Sequence, residues 1–145
     1  MTSSFVKSER VLIEGHFTPA TIVIENGKIS SIEDLNFPVT GAHSKTKIHD
    51  FGKKTLIPGL VDTHVHINEP GRAHWEGFAT ATQAAAAGGI TTVVDMPLNC
   101  NPVTTTADAL NQKLASLEEK LWIDCGFWGG VVPDNLDELD DLLKA

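Results

Sequence analysis

The sequence predicts an α/β protein in two parts: a β-rich segment over residues 1–56, then three strand-and-helix units of a parallel sheet over residues 57–145. Three observations predict it. An Asn-Gly dipeptide separates two alternating runs, the pattern changes at Ile57-Pro58-Gly59, and three apolar strand patterns are each followed by helical spacing at crossover length.

In the first part, Ala20–Glu25 alternates, Asn26-Gly27 tolerates positive φ, and Lys28–Ile32 alternates again, which is a hairpin. Val11-Leu12-Ile13 and Lys47–Phe51 add strands around it, and the polar stretch from Asn36 to Ser44 reads as a mobile loop. A small β-sandwich accommodates such strands.

In the second part, Leu60–Val65 is a short strand that begins apolar and ends polar. Trp75, Phe78, Ala79, Thr82 and Ala86 fall at helical spacing over Trp75–Ala87, and Gly88-Gly89 stops that helix. Ile90–Met96 is a β-branched, buried strand. After a loop with Pro97 and Pro102, Thr105-x-x-Asp108 reads as a capping box for a helix carrying Leu110, Leu114, Leu117 and Leu121 on one face. Trp122–Val132 supplies a third strand, and Pro133-Asp134-Asn135 opens a third helix with Leu136, Leu139, Leu142 and Leu143.

Composition bounds the partners. With 11 Lys+Arg against 19 Asp+Glu, a net charge of −8 and no basic cluster, the chain lacks the cationic patch that nucleic acid or an anionic membrane requires. No apolar run approaches the roughly 20 residues of a membrane span. The opening Met1–Phe5 lacks the order of a signal peptide, so an intracellular, cytoplasmic address is expected. Cys100 and Cys125 are too far apart for a CxxC pair and read as buried small hydrophobes. At 145 residues the chain is too short for a complete (β/α)8 barrel, which takes about 250.

The sharpest chemical feature is Asp62-Thr63-His64-Val65-His66. On a strand, residues i and i+2 share a face, so His64 and His66 present two imidazoles about 7 Å apart at the backbone. Such a pair suits a borderline-soft divalent metal such as Zn²⁺. A bare His-x-His is as a rule two unrelated histidines. This one ends the first strand of a βα series, at the edge where parallel α/β folds build their sites, and that position favours the metal.

The run from Leu56 to Gly71, LIPGLVDTHVHINEPG, resembles the opening of the cyclic amidohydrolases, which comprise dihydroorotases, hydantoinases, dihydropyrimidinases and allantoinases. Extended through Arg72–Phe78, Ala84–Thr92 and Asp95–Asn99, it is most similar to the allantoinase branch. The resemblance implies the first three βα units of a metal-dependent-hydrolase (β/α)8 barrel. It also implies that the front segment is part of a β-sandwich completed by the far C-terminus of a longer protein. His64 and His66 match two metal ligands of a binuclear site, with two zinc ions in a complete subunit. Asn68 stands where dihydroorotases carry an arginine for the substrate carboxylate, and Asn99 lies close to their substrate-binding asparagine.

The implied activity is hydrolytic opening of the hydantoin ring of allantoin to give allantoate, in purine breakdown. The implied substrate is a small cyclic ureide, and the implied full-length form is a homo-oligomer, a tetramer. In relatives a carboxylated lysine from the fourth strand, histidines from the fifth and sixth and an aspartate from the eighth complete the site. None of those strands is present, Lys144 is not given the lysine's role, and the chain alone is expected to be inactive. The alternatives are a hydantoinase or dihydropyrimidinase, disfavoured by Asn68-Glu69-Pro70-Gly71, and a non-catalytic short form that associates with the full-length enzyme.

Other polar residues have plainer readings. Glu69-Pro70-Gly71-Arg72 either lines the site mouth or is a turn with a solvated Glu and Arg. Trp75 and Phe78 read as core, Asp62 and Asp95 as groups that orient a neighbour, and the acidic run from Asp134 to Asp141 as a solvated helix face. His16, His43 and His49 have no ligand spacing and read as surface residues. His74 precedes a helix and reads as a terminal hydrogen-bonding group.

Overall fold

A computed structural model describes residues 3–38 and 46–145, in two compact units, Met1–Pro58 and Gly59–Ala145. The division falls two residues after the sequence boundary at 56/57. His43 and most of the loop expected over Asn36–Ser44 lie outside the described residues. No helix among the described residues is long and apolar enough to cross a membrane.

The first unit is one sheet. Strands β1 (Ser3–Ile13), β2 (His16–Glu25) and β3 (Lys28–Asp34) form consecutive antiparallel hairpins, and β4 (Lys47–Asp50) and β5 (Thr55–Leu56) run parallel to β1. The Asn26-Gly27 hairpin forms as the sequence predicts, with φ of 51° and 78° at the turn. A second one, at Glu14-Gly15 with φ of 47° and 82°, extends β1 back to Ser3, well before the predicted Val11. Polar residues at 7–10 conceal that strand, because a bulge between Ser8 and Val11 breaks its alternation. Ser8 is buried there, accepting from the Arg10 N–H at 3.0 Å and donating to the Lys54 carbonyl.

Phe5 and Val23 are buried, and Phe37 stacks on Phe5 with centroids 6.3 Å apart. Val6, Leu12, Ile22, Ile24, Ile29 and Ile32 line an open apolar hollow of about 490 Å³. Among the described residues this unit is thus a single layer of the predicted sandwich.

The second unit is the predicted βα series. Strands β6 (Leu60–Val65), β7 (Ile90–Asp95) and β8 (Asp124–Phe127) are parallel in the order β6-β7-β8. Helices α1 (Phe78–Ala87) and α2 (Ala107–Ala115) connect them, and a 3-10 turn (Leu136–Glu138) and α3 (Leu139–Lys144) follow β8. The α/β class predicted from the pattern is the one observed.

Four local expectations are corrected. Helix α1 starts at Phe78 rather than Trp75, because residues 72–76 form a turn in which the Trp75 N–H donates to the Arg72 carbonyl. Phe78 is fully buried, but Trp75 is 63% exposed and is not core. The cap of α2 is Thr106, whose hydroxyl accepts from the Ala109 N–H at 3.1 Å, not Thr105. Thr106→Ala is expected to cost about 1 kcal/mol in denaturant unfolding, and Thr105→Ala appreciably less.

The buried face of α2 is Ala109 and Lys113, not the leucines. Leu114 is 40% exposed, and the helix ends at Ala115 before Leu117 and Leu121. The physical reason is the charged carboxylate that ends β7. After β8, the buried Asn135 amide accepts from the Val132 N–H at 2.8 Å and donates to the Thr105 and Gly130 carbonyls, drawing the loops after β7 and β8 together.

Candidate metal centre

The site is built where β6 leaves its ladder. Asp62 pairs with Val93 and Val65 with Asp95, so β6 carries one extra residue between them. A bulge of this kind re-aims the side chains it contains. Within it the His64 N–H donates to the Asp62 carboxylate at 3.1 Å, and the Thr63 carbonyl accepts from the Trp128 indole N–H at 3.0 Å.

The His64 and His66 rings lie with centroids 5.3 Å apart and planes inclined at 60°. Both residues are exposed, and no hydrogen bond occupies a ring nitrogen of either among the described residues. Two free imidazoles at this separation fit a divalent ion. Among the described residues no His, Cys, Asp or Glu joins them to form a group of three.

Behind His66 lies a buried ion pair that local sequence patterns did not reveal. Asp95 and Lys113 are both fully buried, with Nζ 2.5 Å from Oδ2. The other carboxylate oxygen accepts from the Ile67 N–H at 2.7 Å, fixing the backbone immediately after His66. Burial lifts the Asp95 carboxyl above the ordinary carboxylate range, against the Lys113 and Ile67 hydrogen bonds, which pull it down. The Asp95 carboxylate thus holds the backbone beside His66, and its cationic partner is a lysine on α2.

Glu69 is not the solvated residue of a plain turn. It is 9% exposed, accepts from the Phe78 N–H at 3.0 Å at the start of α1, and pairs with Lys120. A carboxylate there answers the positive end of the helix. Arg72 stacks over the Trp75 ring, 5.2 Å from its centroid.

Asn68 and Asn99 lie on the loops after β6 and β7. Asn68 is 8% exposed and its side-chain amide makes no hydrogen bond among the described residues. Asn99 is exposed with φ of 70°. Arg72 links the two loops: its N–H donates to the Asn68 carbonyl at 2.9 Å and its guanidinium to the Asn99 carbonyl at 3.2 Å. The Asn101 N–H donates to the Pro70 carbonyl at 2.9 Å. Gly71 permits that approach, since a Cβ there would stand 2.6 Å from the Asn101 carbonyl oxygen and φ is +88°.

Cys100 is buried as expected, whereas Cys125 is only partly so. Burial first, then the Asp95 charge, push the Cys125 thiol up to about 11. A raised thiol pKa stabilises the fold below the unfolded value and loses that contribution as pH rises through the folded one. Between pH 9.0 and about 11 the protein is expected to lose more stability than its Cys125→Ala variant, as unfolding midpoints across that range would report. His16 and His74 are exposed and His49 is partly so. His74 packs edge-on against Trp75, 6.0 Å between centroids.

A parallel α/β sheet that offers two unpaired imidazoles at its carboxyl edge belongs to the class of folds whose chemistry sits on the loops after the strands. Residues 55–144 match the Amidohydrolase family, and the chain belongs to that family. It is 50% identical over 142 residues to an allantoinase of Streptomyces avermitilis, covering 97% of this chain and 31% of that protein. It is 47% identical over 151 residues to an allantoinase of Saccharomyces cerevisiae, covering 100% of this chain and 33% of that one. Among solved structures, the L-hydantoinase (dihydropyrimidinase) from Arthrobacter aurescens is similar with a TM-score of 0.85 and 33% identity, over 99% of this chain and 31% of that one. The chain thus spans about a third of the length of these relatives.

Proposed function

We propose that the protein carrying this chain is an allantoinase-type cyclic amidohydrolase, and that this segment supplies the first two metal ligands. The observation that carries the reading is the pair of imidazoles, His64 and His66, with rings 5.3 Å apart and no hydrogen bond on their nitrogens among the described residues. A divalent metal held there supplies Lewis-acid polarisation of an amide carbonyl and a water of lowered pKa.

The chain's own residues prepare that place. Asp62 and Asp95 accept from the backbone N–H groups of His64 and Ile67, which bracket the ligand pair. The side-chain amide of Asn68, with no protein partner among the described residues, offers a neutral donor and acceptor, which suits an uncharged ureide better than a carboxylate. Asn99 is assigned to substrate contact from the second loop. Two zinc ions per complete subunit, a tetramer and a cytoplasmic address belong to the same proposal. The identity of 50% and 47% to proteins named allantoinases supports the substrate.

The structural likeness to an L-hydantoinase favours a second reading, a hydrolase of hydantoins or dihydropyrimidines. Assay of the full-length protein against allantoin, hydantoin, dihydrouracil and dihydroorotate separates the two. Allantoin is expected to give the highest kcat/KM and allantoate as product. A preference for hydantoin or dihydrouracil would replace the first reading by the second.

A further inference from the structure

We propose that Trp128 is a positioning residue for the metal centre, holding His64 in its ligating orientation through the Thr63 carbonyl. The inference rests on the reading of His64 and His66 as metal ligands and adds to it a side chain that follows the far strand of the sheet.

The peptide that joins Thr63 to His64 is held in an unusual way. In a parallel ladder a peptide's N–H and C=O are held by neighbouring strands, and that fixes its plane. The bulge between Asp62 and Val65 takes this peptide out of the β6–β7 ladder, and two side chains hold it instead. Its N–H goes to the Asp62 carboxylate at 3.1 Å, one residue back in the chain from Thr63, and its C=O accepts from the Trp128 indole at 3.0 Å. The Asp62 contact is local and turns with the peptide. The Trp128 contact spans 65 residues, from the end of β8 across β7, and is the one that refers the peptide to the rest of the sheet.

Trp128 is itself anchored on the residue that serves His66. Its backbone N–H donates to the Asp95 carbonyl at 2.9 Å, while the Asp95 carboxylate accepts from the Ile67 N–H at 2.7 Å. One β7 residue therefore references both histidines: His66 through the N–H of the next residue, Ile67, and His64 by way of the indole. Rotation of the Thr63–His64 peptide changes ψ of Thr63 and φ of His64 and swings the imidazole. Metal–nitrogen distances tolerate only about 0.2 Å of error, so such a swing weakens ligation without removing a ligand. Trp128 is 50% exposed in this unit, so the unit's own core does not depend on it.

The test uses the full-length protein with Trp128→Phe, with β-(3-benzothienyl)alanine at position 128, which replaces only the indole N–H by sulfur, and with His64→Ala as reference. Zinc release to a chelator and the visible spectrum of the Co²⁺-loaded protein are read, alongside the thermal midpoint of the metal-free forms. Both position-128 changes are expected to leave that midpoint close to wild type, to speed zinc release by about 10-fold or more, and to shift the cobalt bands. His64→Ala is expected to lose the metal outright. Wild-type release and spectrum in the benzothienyl form, with metal lost from His64→Ala, would overturn the role of Trp128 and leave the ligand reading standing. That form decides the matter if Trp128→Phe fails to fold. Full metal retention by His64→Ala would overturn both.

Discussion

Replacing Lys113 by methionine is expected to destabilise the folded protein by about 3–5 kcal/mol, the cost of leaving one member of a buried ion pair without its partner. Lys113 and Asp95 are fully buried and 2.5 Å apart, and Lys113 also reaches the Met96 carbonyl at 3.4 Å and the Phe127 ring at 5.9 Å from its centroid. Methionine preserves the length and apolar stem of the side chain but leaves the carboxylate in an apolar setting. Burial already lifts the Asp95 carboxyl above its ordinary 3.8, and losing the cation lifts it further. A carboxyl raised in the folded state penalises the fold most above its folded pKa, where it must be ionised. The deficit of Lys113→Met is therefore expected to be largest at neutral pH and to shrink as the solution is acidified toward 3.8.

Adding Asp95→Asn to that variant should recover much of the loss. The amide oxygen can still accept from the Ile67 N–H, and no charge is buried. Denaturant midpoints of the two single variants and the double one measure this. Wild-type stability in Lys113→Met would mean that the pair is not formed as described.

The second large effect is on the metal. His64→Ala and His66→Ala in the full-length protein are each expected to lower metal affinity by more than the roughly 10–100-fold that removing a ligand's supporting partner costs, and to abolish allantoin hydrolysis with it. Because their rings make no hydrogen bond among the described residues, the metal-free variants are expected to unfold within about 0.5 kcal/mol of the metal-free parent. Elemental analysis and calorimetry read the two effects separately. A variant that keeps its metal while losing activity would move His64 or His66 from ligation to some other role.

What could be read from the sequence was local. Leu60–Val65 appears as written, because a short apolar run between Pro58-Gly59 and a polar loop has few alternatives. Asn26-Gly27 forces its turn through backbone sterics alone. The histidine pair stands out because spacing of i and i+2 near a strand end is itself a geometric statement.

The groups that escaped notice act through partners distant in the chain. Lys113 looks like any solvated helical lysine until Asp95, 18 residues earlier, is placed beneath it. Glu69 looks like a turn residue until Lys120, 51 residues later, and the α1 terminus meet it. Trp128 follows the strand at the far side of the sheet, and its contact exists only because a bulge frees a carbonyl on β6. Periodicity marked the leucines of α2 as its inner face. The demand of one buried carboxylate outweighed that pattern and turned Ala109 and Lys113 inward instead.

Whether His64 and His66 are two ligands of a divalent metal is decided by X-ray anomalous scattering from crystals of the zinc-loaded full-length protein. A zinc peak is expected bonded to a ring nitrogen of each histidine at about 2.0–2.1 Å. A fully occupied zinc peak held elsewhere, with both rings unligated, would contradict it.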